Sequence, residues 1–530
     1  MKRALKKQIL LGLLLGLAIL AVHLPKIQRP FLGHYSSYEL VMASMARNMA
    51  KENFSDFLHP KTDLLVNGKR SLHLNQYPFS SLIAAMGVRS AGGSFEFWGR
   101  FQSMVFNLLS VLLVGLIASR LFNSRIGWLS ALIYAFSPYA LIYGQKFISE
   151  PMALCALLFS LFLLLSSENG RFPWMSTLLS GLFFSLAVTN RVHFILFFPV
   201  WFLYLLVTRR IWSVRMLHAS IFSFFALAMP VAWYGYTLLL ASDPLYKDHI
   251  LINIYLSVGP GMYHKLGDPL YLFNPNYYKD VFNTVSQTML TPLLFPFPFL
   301  GIILARKREK GFWFTVGGVL LGALLIFVSP RKVAVQDFYL YGLFPFLCFL
   351  AAAGIDPLLE KFSALRRPAS VYFFLAFYLG ISARYFAHPI FKYPEDENQI
   401  KAVRERIESE TRPEDVLIIS GNQPAIMAYY ADRPVVTLQL SHIGKSLPPY
   451  MKNSNLTPAA QAEVNRLEES MKDPVTWLEY LRSRGASYFL ALEKEDLESV
   501  PALLTHLEKR YKNLSSKNDD FLFIRIAKGK

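Results

Sequence analysis

The chain contains a succession of apolar runs, each close to the ~20 residues that a helix needs to cross a bilayer. Of its 530 residues, 53% are hydrophobic and only 17% are charged, a composition typical of integral membrane proteins. The sequence therefore predicts a mostly α, polytopic helical bundle with about eleven transmembrane helices. The predicted spans are Ile9–Leu24, Trp98–Leu121, Ile126–Tyr143, Pro151–Leu165, Trp174–Thr189, Phe194–Val207, Val214–Leu240, Val285–Ala305, Phe312–Val328, Phe338–Ile355 and Val371–Arg384.

The net charge of +18 is explained by the orientation of these spans. Alternate threading places the basic clusters on the side of the N-terminus, as the positive-inside rule requires of the cytoplasmic face. These clusters are Arg120 with Arg125, Arg171, Arg209–Arg215, Arg306–Lys310 and Lys361–Arg367. The basic charge thus gives no reason to expect nucleic acid as a partner. The two cysteines, Cys155 and Cys348, each lie inside an apolar run, so we expect core residues rather than a disulfide or a zinc site.

An odd number of crossings leaves three segments on the extracytoplasmic side, namely Pro25–Phe97, Ala241–Phe282 and the chain after about Ala387. The cytoplasmic face has only short basic loops, so any chemistry is expected outside or in the outer half of the membrane. We divide the chain into a transmembrane domain, 1–386, whose first outer loop is 25–97, and an extracytoplasmic domain, 387–530.

The first outer loop is predicted to contain two amphipathic helices. Residues Tyr38–Lys51 carry apolar side chains near the 3.6 period, and Pro78–Val88 forms a second such segment. We expect both to lie along the outer leaflet and wall off a cavity. Glu39 is then either a functional carboxylate held beside the membrane or a solvated residue of a surface helix.

The chain after Pro394 has the composition of a soluble domain. Strand-like runs alternate there with helical stretches, which favours a small α/β domain that acts as a binding or lid module. The predicted strands are Val416–Ser420, Val435–Leu438, Tyr488–Leu492 and Phe521–Ile526; the predicted helices are Asn398–Ser409, Gln423–Tyr430, Pro474–Arg484 and Lys494–Tyr511.

Three short polar turns join apolar spans on the outer side: Tyr143–Glu150, Thr189–His193 and Ser329–Asp337. In the first, Glu150 directly precedes Pro151, the pattern of a helix N-terminus. Glu150 either takes part in chemistry or only complements the helix dipole. Lys146 adds a cation to the same turn.

Basic residues in the other two turns lie on the side that the positive-inside rule disfavours. Arg191 and His193 join two spans, and Arg331 with Lys332 precedes Asp337 and Tyr339. These cations predict an anion site, with snorkelling of the side chains to lipid phosphates as the alternative.

The first loop resembles that of the C-fold membrane glycosyltransferases, the superfamily of protein O-mannosyltransferases and lipid A aminoarabinose transferases. In that superfamily an Asp-Glu pair precedes a helix with a pattern like A-x-I-A-R-x-M. Residues Ala43–Met49, ASMARNM, fit the pattern, which puts Tyr38 at the Asp and Glu39 at the Glu. The Gly33-His34 start is similar to a bacterial branch that lacks the Asp.

Two further segments carry the resemblance. Tyr143–Leu154 is similar to the stretch that ends in Glu-Pro, and Asp337–Pro345 to a His-Asp-Tyr-Tyr segment with a following Pro. This chain departs from the pattern at Gln336, which replaces the His, and at Phe338, which replaces one Tyr. The lysine of a Lys-Pro pair in the first loop is also absent, since Tyr77 precedes Pro78.

The resemblance implies inverting transfer of a sugar from a polyprenyl-phosphate donor to a lipid, glycan or protein acceptor, on the outer face of a bacterial cytoplasmic membrane. It implies Glu39 or Glu150 as the base; the metal question is open, since a divalent ion could assist Glu39, and no metal ligands are predicted. A phosphate leaving group needs no general acid, so one carboxylate and a cationic cradle can suffice. The expected substrate-binding residues are His34, Tyr35, Tyr38, Lys146, Arg191, His193, Arg331, Lys332, Asp337 and Tyr339.

The competing class is a transporter or a structural membrane subunit that kept the fold and lost catalysis. The missing Asp and Lys favour that class. Transporters usually carry ionisable residues near the middle of their spans and internal repeats, and the sequence shows neither clearly.

Overall fold

The computed structural model describes the protein as two compact units. One, the helical unit, comprises Met1–Arg29, Glu96–Gly235 and Lys265–Lys392; the other, the α/β unit, comprises Pro30–Phe95, Tyr236–His264 and Tyr393–Lys530. The structure describes residues 16–17, 20–21, 24, 27–33, 36–66, 69–168, 172–208, 211–243, 246, 269–304, 309–361, 376–378, 380–381, 384–385, 397–420, 424–438, 440, 443–444, 458–516 and 519–527.

The apolar part of the chain is helical, as predicted. Its α-helices are Phe95–Leu121, Ser124–Phe136, Pro138–Tyr143, Glu150–Ser166, Pro173–Asn190, Phe198–Thr208, Trp212–Ser242, Pro275–Asn283, Thr291–Leu294, Phe297–Leu304, Glu309–Val328, Pro330–Val335 and Phe344–Lys361. Short 3₁₀ segments, Val192–Phe197, Pro269–Phe273 and Asp337–Gly342, and a π-helical turn, Thr284–Met289, connect some of them. Each predicted span from Trp98 to Ile355 thus coincides with one or more helices.

Within the described residues, three helices are long and apolar enough to cross a membrane: Phe95–Leu121, Trp212–Leu240 and Gly311–Val328. A fourth candidate is the pair Pro275–Met289 and Thr291–Leu304, which is bent by 97°. Glu150–Ser166 and Val192–Val207 are shorter apolar helices. Most of the predicted spans Ile9–Leu24 and Val371–Arg384 lies outside the described residues, so the count of about eleven remains a prediction.

Two predicted spans are interrupted, and each interruption has a local cause. Ile126–Tyr143 divides at Ser137-Pro138, where the Ser137 hydroxyl accepts a hydrogen bond from the Tyr139 N–H, 3.1 Å. Val285–Ala305 divides at Thr291, whose φ of 65° is in the left-handed region that β-branched residues rarely adopt. The Ser137 hydroxyl also donates to the carbonyl of Met289, 2.8 Å, so the two interruptions contact each other.

Two glycines allow a close helix–helix contact in the helical unit. A Cβ on Gly301 would lie 2.1 Å from the carbonyl oxygen of Leu350, and one on Gly354 would lie 2.2 Å from that of Phe297. Helices Phe297–Leu304 and Phe344–Lys361 therefore approach backbone to backbone, the packing that small residues permit between membrane helices.

The α/β unit contains a seven-stranded mixed sheet with strand order β2-β1-β4-β3-β5-β7-β6. Its strands are β1 Lys61–Val66, β2 Lys69–Leu72, β3 Val416–Ser420, β4 Val435–Leu438, β5 Ala486–Ala491, β6 Lys512–Asn513 and β7 Leu522–Arg525. Its helices are Ser36–Lys51, Phe79–Ala91, Glu397–Glu410, Pro424–Ala431, Pro458–Ser470, Pro474–Ser483, Lys494–Glu498 and Pro501–Arg510. The four strands and four helical stretches predicted after Pro394 are all found.

The sheet also contains three strands that the sequence did not predict, the two-residue β6 and the pair β1 and β2. β1 and β2 come from the first outer loop and pair antiparallel, and Leu64 of β1 pairs in parallel with Val435 of β4. The α/β unit therefore includes residues 30–95 and is not confined to 387–530.

The first-loop helix, Ser36–Lys51, is not a surface helix. Most of its residues are buried, and the buried set includes polar positions such as Glu39, Arg47 and Asn48. It packs against Phe79–Ala91, β1 and Pro424–Ala431 of the same unit. The prediction of a helix was correct, and of the two alternatives for Glu39 the solvated residue of a surface helix does not hold, because Glu39 is 1% exposed. Arg47 and Asn48 find buried partners in the sheet and the C-terminal region.

Candidate active site

Glu150 begins an apolar helix in the helical unit. Pro151 occupies an N-terminal position of Glu150–Ser166, as the Glu-Pro pattern predicted, and Glu150 has no exposed surface. Its Oε1 lies 2.6 Å from Nη2 of Arg191. Its second oxygen, Oε2, has no hydrogen-bond partner within the described part of the chain. A fully buried carboxylate is thus paired with a cation on one side only.

Arg191 lies where helix Pro173–Asn190 ends. Its backbone is extended, with φ −142° and ψ 97°, and the next residues form a 3₁₀ segment. The guanidinium carbon lies 5.7 Å from the ring centroid of Phe338 and 5.9 Å from that of Tyr339, within cation–π range. The His193 ring packs on Tyr339, with centroids 4.8 Å apart. The three polar turns predicted from the sequence are therefore brought together around Arg191.

Lys332 adds a second cation to this group. It lies in the short helix Pro330–Val335, which follows the span Gly311–Val328. Burial, together with the nearby charges of Arg331 and Arg191, lowers the pKa of Lys332 to about 8. Three cations outnumber the two carboxylates, Glu150 and Asp337, so the group has a net positive charge, and a bound anion would relieve the repulsion among the cations. Lys146, in the turn before Glu150, is also buried.

Asp337 accepts hydrogen bonds from two tyrosines. The Tyr143 hydroxyl donates to Oδ1 of Asp337, and the Tyr139 hydroxyl donates to its backbone carbonyl, 2.8 Å. Both tyrosines lie in the helix Pro138–Tyr143. Tyr143 also begins the turn that leads to Glu150. These hydrogen bonds link the turn containing Glu150 to the 3₁₀ segment Asp337–Gly342.

Glu39 and Tyr38 belong to the α/β unit. Glu39 lies in the first turn of the first-loop helix, where the helix dipole favours a carboxylate, and only 1% of it is exposed. Tyr38 is partly exposed. His34 and Tyr35 lie outside the described residues. No set of three or more His, Cys, Asp or Glu side chains in the described part of the chain is placed to hold a metal ion.

The structure identifies participants that the sequence reasoning missed. Phe338 and Tyr143 contact predicted site residues directly, and both stand in segments already singled out by resemblance, Phe338 as a departure from the pattern. The pairing of Glu150 with Arg191 had no local signal. His193 Nε2 is buried without a hydrogen-bond partner within the described residues, so it too remains able to bind a ligand.

Comparisons with known proteins agree with this architecture. Residues 76–234 match the family model described as dolichyl-phosphate-mannose-protein mannosyltransferase, a stretch that includes Lys146, Glu150, Arg191 and His193. A search of curated proteins found no match.

Solved structures resemble nearly the whole chain. ArnT from Cupriavidus metallidurans in the apo state is 14% identical, with a TM-score of 0.66 and 98% of each chain covered. The same protein bound to undecaprenyl phosphate gives 14% identity, 0.63 and 98% of each chain. AglB, the oligosaccharyltransferase of Archaeoglobus fulgidus, in complex with an inhibitory peptide and a dolichol-phosphate, gives 11% identity and 0.53, covering 96% of this chain and 74% of its own. These matches show the fold that the resemblance implied.

Proposed function

We propose that this chain, which has the fold of the C-fold membrane glycosyltransferases, transfers a sugar from a polyprenyl-phosphate donor to an acceptor hydroxyl at the outer face of a bacterial cytoplasmic membrane. The observation that carries the proposal is the group of cations around Arg191. It combines a buried arginine, a lysine whose pKa is about 8 and an aromatic wall in a scaffold whose relatives include one solved with undecaprenyl phosphate.

The cations would bind the donor phosphate and stabilise its departure. When the bond between the anomeric carbon and the phosphate oxygen breaks, the electron pair leaves with the polyprenyl phosphate, which gains negative charge. Preorganised cations are most effective where charge develops in the transition state. Arg191 and Lys332 are assigned this role, with Arg331 and Lys146 at the edge of the site and Tyr339 and His193 beside the sugar or phosphate.

Of the two candidate bases, we assign proton transfer to Glu39, because the resemblance puts it at the position of the superfamily's Glu. Glu150 is engaged by Arg191 through Oε1, so its role is to orient that arginine and limit its positive charge. Glu39 would accept the proton of the acceptor hydroxyl as the hydroxyl oxygen attacks the anomeric carbon from the face opposite the phosphate. Attack from that face inverts the anomeric configuration. The acceptor is a lipid, a glycan or a protein of the cell envelope.

Two variants test the assignment separately. Glu39→Gln keeps the shape of the base and removes the proton acceptor, so turnover should fall by about 10²- to 10⁴-fold while donor affinity is nearly preserved. Arg191→Gln should weaken binding of undecaprenyl phosphate, measured on the purified full-length protein. Turnover is followed as release of undecaprenyl phosphate from a panel of its sugar-linked forms, in membranes that supply the acceptor.

The control is Arg125→Gln. Arg125 pairs with Asp356, 3.1 Å away, and the two residues belong to helices Ser124–Phe136 and Phe344–Lys361, at the ends away from the site. This substitution should leave binding of undecaprenyl phosphate unchanged. Wild-type turnover in Glu39→Gln would remove Glu39 from the mechanism. Undecaprenyl phosphate binding without release from any sugar-linked form would instead favour a protein that kept the fold and lost catalysis.

A further inference from the structure

Arg47, two turns after Glu39 on the first-loop helix, is the centre of a buried charged network. Its Nη2 lies 2.6 Å from Oδ2 of Asp63, and its Nε lies 3.1 Å from Oδ1 of Asp432. Nη1 donates to the carbonyl of Tyr429, 2.7 Å, and the guanidinium carbon lies 4.5 Å from the centroid of the Tyr429 ring. Every side of the guanidinium is thus engaged by residues of the α/β unit.

Asp63, on β1, gathers further hydrogen bonds from the same helix. Ser44 Oγ donates to its Oδ2, and Asn48 Nδ2 donates to its Oδ1, 3.2 Å. The Asp63 N–H donates to Ser44 Oγ, 2.9 Å. Positions 44, 47 and 48 share one helix face, so a single carboxylate that is 2% exposed fixes the helix both along its axis and in rotation.

Two residues that follow the predicted spans in sequence, Tyr430 and Asp432, hold the same helix at its two ends. Lys51 Nζ lies 2.7 Å from Oδ1 of Asp432. At the other end, the N–H of Phe31, just before the helix, donates to the Tyr430 hydroxyl, 2.6 Å. Arg47 and Lys51 balance the charges of Asp63 and Asp432, so the network is neutral as a whole.

We propose that Arg47, Asp63 and Asp432 are positioning residues for the Glu39 carboxylate. Arg47 is eight residues beyond Glu39, about 12 Å along a helix, so it acts through the rigid helix and not by touching the reacting atoms. The C-terminal part of the chain then supports the base, which differs from the binding or lid module expected from the sequence. This inference rests on the proposed function.

The geometry explains why positioning should matter for turnover. Removing one partner of a buried ion pair leaves the other charged and unpaired, and the chain moves to solvate it. A shift of about 1 Å at a catalytic group can lower the rate by about 10²-fold. The donor cations belong to the helical unit, so such a shift should change kcat and leave the KM for the donor nearly constant.

Asp63→Asn and Asp432→Asn are the test variants. Asp432 has φ 49°, a conformation that Asn tolerates well, so Asp432→Asn removes the charge without straining the backbone and should fold even if Asp63→Asn does not. We expect kcat to fall by about 10²-fold for Asp63→Asn and by less for Asp432→Asn, which is partly exposed. The matched control is Arg404→Gln, since Arg404 forms an exposed ion pair with Glu408, 2.7 Å, within helix Glu397–Glu410 of the same unit.

Combination with Glu39→Gln separates positioning from general damage. If the network acts through Glu39, Asp63→Asn or Asp432→Asn should add little to the loss already caused by Glu39→Gln. Additive losses, or unchanged kcat in both single variants of a folded protein, would overturn the positioning role while leaving the proposed base intact. If Glu39→Gln is inactive while the single variants Asp63→Asn and Asp432→Asn are both fully active, this inference alone is rejected.

Discussion

Nη2 of Arg191 and Oε1 of Glu150 lie 2.6 Å apart, with 8% and 0% of their side chains exposed. Two charges withdrawn from water to this extent stabilise a protein only when each has the other. The pair joins the end of helix Pro173–Asn190 to the start of helix Glu150–Ser166. The contribution of this pair to stability and its contribution to donor binding can be measured separately.

Arg191→Met should destabilise the protein by about 3–5 kcal/mol, because Glu150 remains buried without its partner. The double variant Glu150→Met with Arg191→Met should recover most of that loss, since apolar side chains of similar size replace both charges. Neither variant should bind undecaprenyl phosphate. Thermal unfolding in detergent and lipid binding measure the two effects, and a double variant as unstable as the single one would contradict this account of the pair.

Binding of undecaprenyl phosphate should weaken as the pH rises through about 8, the pKa of Lys332. Below that pH the lysine is charged and pairs with the phosphate; above it, the free protein must first take up a proton. The dissociation constant should then rise by up to about tenfold per pH unit.

Lys332→Arg provides the control, since arginine stays charged throughout this range. The dissociation constant of that variant should change much less between pH 7 and about 9.5. A wild-type profile as flat as that of Lys332→Arg would show that Lys332 does not meet the phosphate.

Tyr38→Asp restores the acid that the superfamily pattern has beside Glu39. Faster turnover would mean that this branch weakened an ancestral site. Slower turnover would mean that Tyr38 contacts a substrate of its own, which is the outcome we expect because Tyr38 is partly exposed next to a buried Glu39. Tyr38→Phe, which keeps the ring and removes the hydroxyl, distinguishes a hydrogen bond from a packing contact.

Gly354→Ala should destabilise the helical unit by about 1–3 kcal/mol, because the added methyl group meets the carbonyl oxygen of Phe297 and forces two helices apart. Gly235→Ala is the matched control, since a Cβ there meets nothing within 4 Å. That change should be neutral or stabilise the helix by up to about 1 kcal/mol. Thermal unfolding of the two variants in the same detergent compares them directly.

Reporter fusions test the predicted orientation of the chain. A fusion after Lys361 should give a cytoplasmic signal and one after Lys401 an extracytoplasmic signal, because the basic residues Lys361–Arg367 precede the last predicted span and the positive-inside rule places them inside. Equal signals from the two fusions would show that the threading is wrong.

Helices and strands were predicted correctly where the local sequence alone carries the signal for them. Strands β3 and β4 coincide with the predicted runs because both are short apolar runs rich in β-branched residues, bounded by polar turns. β1 and β2 were missed because KTDLLV and KRSL lack the period-2 alternation of a half-buried strand, and because β1 also pairs with β4, far away in sequence. The interruptions at Pro138 and Pro292 lie inside apolar runs, where composition alone predicted continuous helices.

The site shows the same division. The positive-inside rule identified Arg191 and Lys332 as cations on an unusual side, and the structure brings both to one place. Glu150 was predicted as a site residue, but its pairing with Arg191 was not, since contact between turns depends on tertiary packing. The burial of Arg47 and Asn48 on the first-loop helix had no local signal, because their partners Asp63 and Asp432 cannot be identified by periodicity.

The sheet that joins the first outer loop to the C-terminal strands also sets the order in which parts of the protein can fold. Arg47 can contact Tyr429 only after Tyr429, 382 residues later, has been synthesised. At about 5–20 residues per second this takes roughly 20–80 s. During that interval the hairpin of β1 and β2 has an open edge, and Asp63 has no C-terminal counterpart to share Arg47. The buried contacts of the helix that carries Glu39 can be completed only after Tyr429 and Asp432 have been synthesised, so a chain that stops before them would lack the network that holds this helix.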